Sequence, residues 1–288
     1  MAYVTFDNLP LYLSVPNTTT SPVVSDNTAR VASATQVQVN YSPSISNTPV
    51  LGKRSNAQNL LTSGPPDVSL SFSTLLQREG ANATTEFNPF DYTGEQGKGC
   101  CITLGHNTNG VILTGCFLTN VSLSVTPYAP VSVNCDFVCY DVPNKTSTIL
   151  GNGGAIASLD DDDVAPIPNI TGIAHGVYSK FTGDLTAGTE FEAVNYTYSA
   201  VYTPVYQIGK FAPEVFFTSA TQTLQVQANQ TAGFTPVSGT TASPALHLRN
   251  STELVSALPF NGLVFGENVS VSAGDVARAS INIVQPLK

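Results

Sequence analysis

Charge is scarce in this sequence. Lysine and arginine number 11 and aspartate and glutamate 20, so charged residues are 11% of the chain where about a quarter is usual. A net charge of −9 with so few cations excludes the clustered Lys and Arg that grip nucleic acid by displacing counterions. No run approaches the roughly 18 consecutive apolar residues of a membrane span, so no membrane partner is expected. Met1 to Asp7 lack the basic and apolar stretches of a secretion signal, which points to folding in a cytoplasm. Also missing are H-E-x-x-H, G-x-S-x-G, a P-loop and a G-x-G-x-x-G that opens a helix. The expectation is a protein that is not an enzyme and carries no cofactor.

The few chemistry-bearing residues are scattered. His106, His175 and His247 sit far apart, with no nucleophile or orienting group placed beside them by spacing. The one charge run is Asp160, Asp161, Asp162 and Asp163. Four adjacent carboxylates could attract a hard cation such as calcium. The run lacks EF-hand order, because Ala165 or Pro166 falls where the turn glycine belongs, so it reads as a solvated acidic loop. The five cysteines, Cys100, Cys101, Cys116, Cys135 and Cys139, are odd in number and form no C-x-x-C pair, which suits reduced thiols. Cys135 alternates in phase with Phe137 and should point inward. Cys100 and Cys101 lie in a glycine-rich stretch and are expected to be the exposed thiols.

What the chain has is apolar residues, 42%, set among serine, threonine, asparagine and glutamine. Surfaces of that kind repel one another weakly and favour self-association. It also has a repeat. NYSPSISNTPV at 40–50 matches NYTYSAVYTPV at 195–205 in six of eleven positions, 155 residues on (195 − 40). NVSLSVTPYAPVSVN at 120–134 faces NVSVSAGDVARASIN at 268–282, 148 residues on (268 − 120), and Phe117 faces Phe265 at the same offset. Unequal offsets place a length change in the loops between the blocks. The reading is two homologous domains, 1–141 and 181–288, joined by a Gly-, Asp- and Pro-rich arm, 142–180.

Alternation of period two fixes the element type. Val121, Leu123 and Val125 share a face, as do Val131, Val133, Cys135 and Phe137, and the later block repeats the pattern. Each pair of runs reads as a hairpin. Further strands are expected at 35–41, 67–74, 111–118, 189–197 and 221–228. Helix is expected at 251–258, where Asn250 and Glu253 have capping-box spacing and Pro259 would stop it, and near 55–61. The class is mainly β: two tandem β-sandwich or barrel domains with one or two short helices. The aromatic residues around 191–217 (Phe191, Tyr196, Tyr198, Tyr202, Tyr206, Phe211, Phe216 and Phe217) suit a core or interface, or else a carbohydrate platform.

The segment N-Y-[ST]-x-S-x-x-x-T-P-V, PPDVSLSFSTLL at 65–76 and the hairpin LTNVSLSV…VSVNCDFV resemble tailed-phage virion proteins of the tail-tube and baseplate-hub superfamily. That resemblance implies a structural virion protein, assembled in a host cytoplasm. It implies trimers or hexamer-like rings that stack around a channel and contact other virion proteins. DNA would pass through that channel without being gripped, and the acidic balance would suit a carboxylate-lined lumen. Inter-ring loop candidates are 42–66, 77–110 and 229–250. The alternatives are a head decoration or neck protein, or a carbohydrate- or host-surface-binding module.

Overall fold

A computed structural model describes residues 11–14, 28–31, 34–42, 45–47, 60–62, 67–77, 87–93, 99–106, 109–140, 172–184, 190–209, 213–229, 239–270 and 277–287. The Asp160–Asp163 run and Phe211 lie outside these residues. The described chain is a succession of antiparallel strands: β1 (Leu11–Ser14), β2 (Thr28–Arg30), β3 (Ala34–Ser42), β4 (Ile45–Asn47), β5 (Leu60–Thr62), β6 (Asp67–Leu75), β7 (Gly99–His106), β8 (Asn109–Val125) and β9 (Ser132–Cys139). The later part holds β10 (Lys180–Thr182), β11 (Glu190–Val205), β12 (Glu214–Asn229), β13 (Thr241–Ala242), β14 (Ala245–Arg249), β15 (Leu254–Pro259), β16 (Gly262–Ser270) and β17 (Arg278–Leu287). Two single 3-10 turns, Pro89–Tyr92 and Gly176–Tyr178, are the helical elements among the described residues.

The helix expected at 251–258 is not there. Asn250 does act as a cap, its Oδ1 accepting from the Thr252 and Glu253 amides at 2.9 and 2.7 Å. The chain then pairs with β14 from Leu254 onward instead of winding. A capping motif satisfies two amides locally, but it leaves the conformation of the next residues open. Near 55–61 the described part, Leu60–Thr62, is strand paired with β4.

Eight strands of a twelve-stranded sheet run in the order β3-β6-β9-β8-β11-β12-β17-β16, with β7, β1 and β2 branching from β8 and β13 lying beyond β16. The first four and the last four are arrays with the same sequential order: first strand, second, fourth, third. Their registers also correspond. A straight row crosses the first array through Gln38, Ser71, Asp136 and Asn120. The matching row of the second runs through Ala193, Gln227, Ser280 and Asn268. The rows differ by 155 (193 − 38) and 156 (227 − 71) positions in their first two strands, then by 144 (280 − 136) and 148 (268 − 120), so the sequence offset of 148 holds for β8 and β16 but not for β9 and β17. One bulge interrupts β8 opposite β9 between Leu118 and Asn120, and one interrupts β16 opposite β17 between Val264 and Gly266.

The inward face alternates as the sequence predicts. Val68, Leu70, Phe72, Val121, Leu123, Val133, Phe137, Tyr196, Tyr198, Leu224, Val226, Ile281 and Ile283 are buried. The small sheet β10-β14-β15 supplies Phe181, Leu246, Leu248 and Leu258 to the same core. Residues 173–176 of the expected arm are anchored between the end of β6 and the small sheet: the Ala174 amide donates to Leu76 O and that of His175 to Arg249 O of β14, both at 2.8 Å. Gly176 is tight, because a Cβ there would collide with the Thr126 carbonyl.

Candidate assembly surface

β8 sets the geometry of the surface. One side of this 17-residue strand pairs with β9. Its other side pairs first with β7, through Asn109 to Phe117, and then with β11, through Asn120 to Val125. The last strand of the first array is thereby hydrogen-bonded to the first strand of the second. This join needs strands long enough to be shared, and the alternating 111–125 segment supplies one.

Among the described residues the two ends of the eight-strand row are only partly covered, with Val264 of β16 also bonded to Gly239 and Thr240. Among the described residues β3 pairs with β6 alone, and the outer edge of β16 is met by the two-residue β13 at Gly262 and Leu263. Side chains equivalent by the repeat offsets have opposite fates at the join and at these ends. Phe117, Val121 and Tyr196 are 8%, 0% and 1% exposed. Their equivalents Phe265, Val269 and Tyr41 are 75%, 44% and 48% exposed. Two apolar groups that the join buries, Val121 and Tyr196, thus have equivalents in solvent at the ends, beside strand edges unpaired among the described residues.

The open face carries hydroxyls and amides. One row across all eight strands reads Gln36, Ser73, Asn134, Ser122, Thr197, Thr223, Val284 and Leu263. On one flank lie Gln38, Ser71, Asp136, Asn120, Ser199 and Thr221; on the other lie Ser132, Ser124, Asn195, Gln225 and Asn282. Asp136 is the one ionisable side chain in these rows, and Asn120 Nδ2 donates to its Oδ2 at 3.0 Å. Asn134 ties to Ser73 at 2.6 Å and donates to Ser122 at 3.2 Å. Among the described residues of these rows Asp136 is thus the single carboxylate.

No catalytic constellation forms among the described histidines. His175 caps the second 3-10 turn, its Nδ1 accepting from the Val177 amide at 3.3 Å. The His247 ring lies 3.4 Å from Thr182 Oγ1, and His106 ends β7. Among the described residues no cluster of His, Cys, Asp and Glu could hold a metal ion, and no helix is long and apolar enough to cross a membrane. A cavity of about 540 Å³ opens beside the β8–β9 turn, lined in part by Val125, Tyr128, Phe181 and Phe191. Its Ser179 hydroxyl donates to the His175 carbonyl at 3.0 Å and so is not poised on a base.

Two expectations about side chains change. Cys100 and Cys101 are buried strand residues of β7 rather than exposed loop thiols. A register shift between Cys100 and Ile102 breaks the alternation that would have turned one of them outward. The aromatic group at 191–217 is divided. Tyr196, Tyr198 and Tyr202 are core, with Tyr202 5.0 Å from Phe117 between ring centres, while Tyr206 and Phe216 are exposed. The phenols of Tyr92, Tyr196 and Tyr202 are all pushed well above the ordinary range, chiefly by burial.

The exposed ends were not legible before the fold was known. Val269 and Tyr41 have the alternation of core residues but lie at strand edges unpaired among the described residues, and Phe265 sits at the β16 bulge. No protein-family model matches the chain, and no curated protein matches it either.

Proposed function

We propose that the chain is a duplicated structural subunit that closes into a ring by repeating, between copies, the join it makes within itself. The carrying observation is the contrast between Val121 and Tyr196, buried at the β8–β11 join, and their equivalents Val269 and Tyr41, exposed at the ends, with Phe117, packed on Tyr202 beside the join, against exposed Phe265 as a weaker third case. A β16 edge docked on β3 of the next copy buries that second set and pairs both edges. Carrying the in-chain pair Ser122–Thr197 across by the two offsets puts Ser270 opposite Ser42 of the next copy. A head-to-tail contact whose rotation closes gives a ring. Three copies would present six arrays, the count implied by the resemblance to tail-tube virion proteins. In that reading the hydroxyl and amide face lines the channel, and it offers passing DNA neither the cations that hold phosphate nor the dense carboxylates that repel it.

Solution mass and electron microscopy test this. The expected result is closed rings, alone or stacked. A bismaleimide bridging Ser42→Cys and Ser270→Cys should link copies into a covalently closed ring. A chain that stays monomeric at high concentration, or that links only into pairs, overturns the reading. Isolated trimers on capsid surfaces would instead favour a head decoration protein.

A further inference from the structure

Three cysteines stand in one row across β7, β8 and β9. Cys100 faces Cys116, and Cys116 faces Cys139. All three are buried, and the Sγ atoms of Cys116 and Cys139 lie 2.7 Å apart. The backbone accounts for this closeness. The Tyr140 amide donates to Gly115 O at 3.1 Å, which makes 115/140 a hydrogen-bonded pair. The next pair, 116/139, is then of the type without mutual backbone bonds, whose Cα atoms come to about 4.5 Å. A disulfide spans roughly 4.4–6.8 Å between Cα atoms.

Packing alone does not call for thiols here. The equivalent pair in the second array is Val264 opposite Ile283, both buried. Burial, with the hydrogen bond to Cys139, holds the Cys116 thiol well above its ordinary pKa, so its thiolate is scarce and its oxidation slow. An oxidant that reaches the pair has to be small and uncharged.

We propose that Cys116 and Cys139 form a disulfide, closed by a small two-electron oxidant of the hydrogen peroxide class. One thiol gives up its proton and the thiolate attacks the peroxide: the O–O bond breaks, a sulfenic acid forms, and the departing hydroxide takes the proton and leaves as water. The sulfur of the second thiol then displaces the sulfenic oxygen as a second water, and the S–S bond forms. Two thiol hydrogens and two electrons are thus spent in reducing one peroxide to two waters. The link fastens β8 to β9 just before the bulge at which β8 passes from β7 to β11, and so it pins the strand shared by both arrays. It does not depend on ring formation.

The test treats the native protein with peroxide, then denatures it, alkylates it and determines its mass. The expected product has lost two hydrogens and takes up two fewer alkyl groups than the reduced chain with its five thiols. Its 116 and 139 peptides are joined, and its melting temperature is raised. Cys116→Val, which copies the second array, should abolish both the link and the gain in melting temperature; Cys139→Ile, the other copied residue, repeats the test should that variant fold poorly. Five alkylated thiols after treatment, separate oxidation of each sulfur to acids, or a Cys100–Cys116 link would overturn the assignment.

Discussion

The join between the arrays and the outer ends of the eight-strand row are made from the same kind of sequence, yet they differ in what surrounds them. At the join, Tyr196 is buried against Phe90 and Phe260, with ring centres 5.6 and 6.5 Å away. At the outer end, Tyr41 projects into solvent from β3. The difference shows that a strand's apolar alternation specifies a surface to be covered, while the neighbour that covers it is supplied separately. In one place the chain supplies its own neighbour. In the other it leaves a template of the same shape.

The largest test of this contrast is charge insertion. Val121→Lys should unfold the chain, because an unpaired ammonium at a fully buried site has no compensation. Val269→Lys should leave the monomer's circular dichroism and melting curve unchanged while abolishing assembly, since a lysine on an edge strand blocks pairing. Truncation comes next. Phe117→Ala should cost about 3–5 kcal/mol in denaturant unfolding, and Phe265→Ala less than about 0.5 kcal/mol in the isolated chain. Equal losses at the two positions would abolish the contrast.

Alkaline titration sharpens the comparison further. Tyr92, Tyr196 and Tyr202 have folded-state pKa values raised by burial. Their contribution to stability is complete below the unfolded phenol value of about 10 and is lost as pH rises above it, because the unfolded state releases those protons first. Phenolate absorbance from these three should therefore appear together with unfolding rather than before it. The smallest effect belongs to the Glu192–Arg278 pair, 2.9 Å apart with side chains 34% and 46% exposed. Arg278→Gln should change stability by less than about 1 kcal/mol, because water screens such pairs.

Much of the strand content was legible in the sequence because its signal is local. The alternation through Val121–Val125 and Val131–Phe137 needs no knowledge of neighbours, while the repeat offsets hold for β3/β11 and β8/β16 but slip by four residues (148 − 144) at β9/β17. The errors came where a local signal is ambiguous. Asn250 and Glu253 form the turn that a helix would use, but β14 captures the next six residues. Glycine-rich flanks disguised Cys100 and Cys101 as loop, although each is sealed in β7. The candidate surface was the least legible part, since a residue such as Val269 looks like core until its stretch of strand proves unpaired on one side among the described residues.

The shared strand has a mechanical consequence. Because β8 is laced to β7, β9 and β11 at once, tension along its axis loads many backbone bonds in parallel and must shear them together. Tension across the sheet would open the β8–β11 ladder one rung at a time. The molecule should therefore resist stretching along its strands far better than prying apart of its halves, an anisotropy that a pulling experiment from suitably placed attachment points would register as two distinct rupture forces.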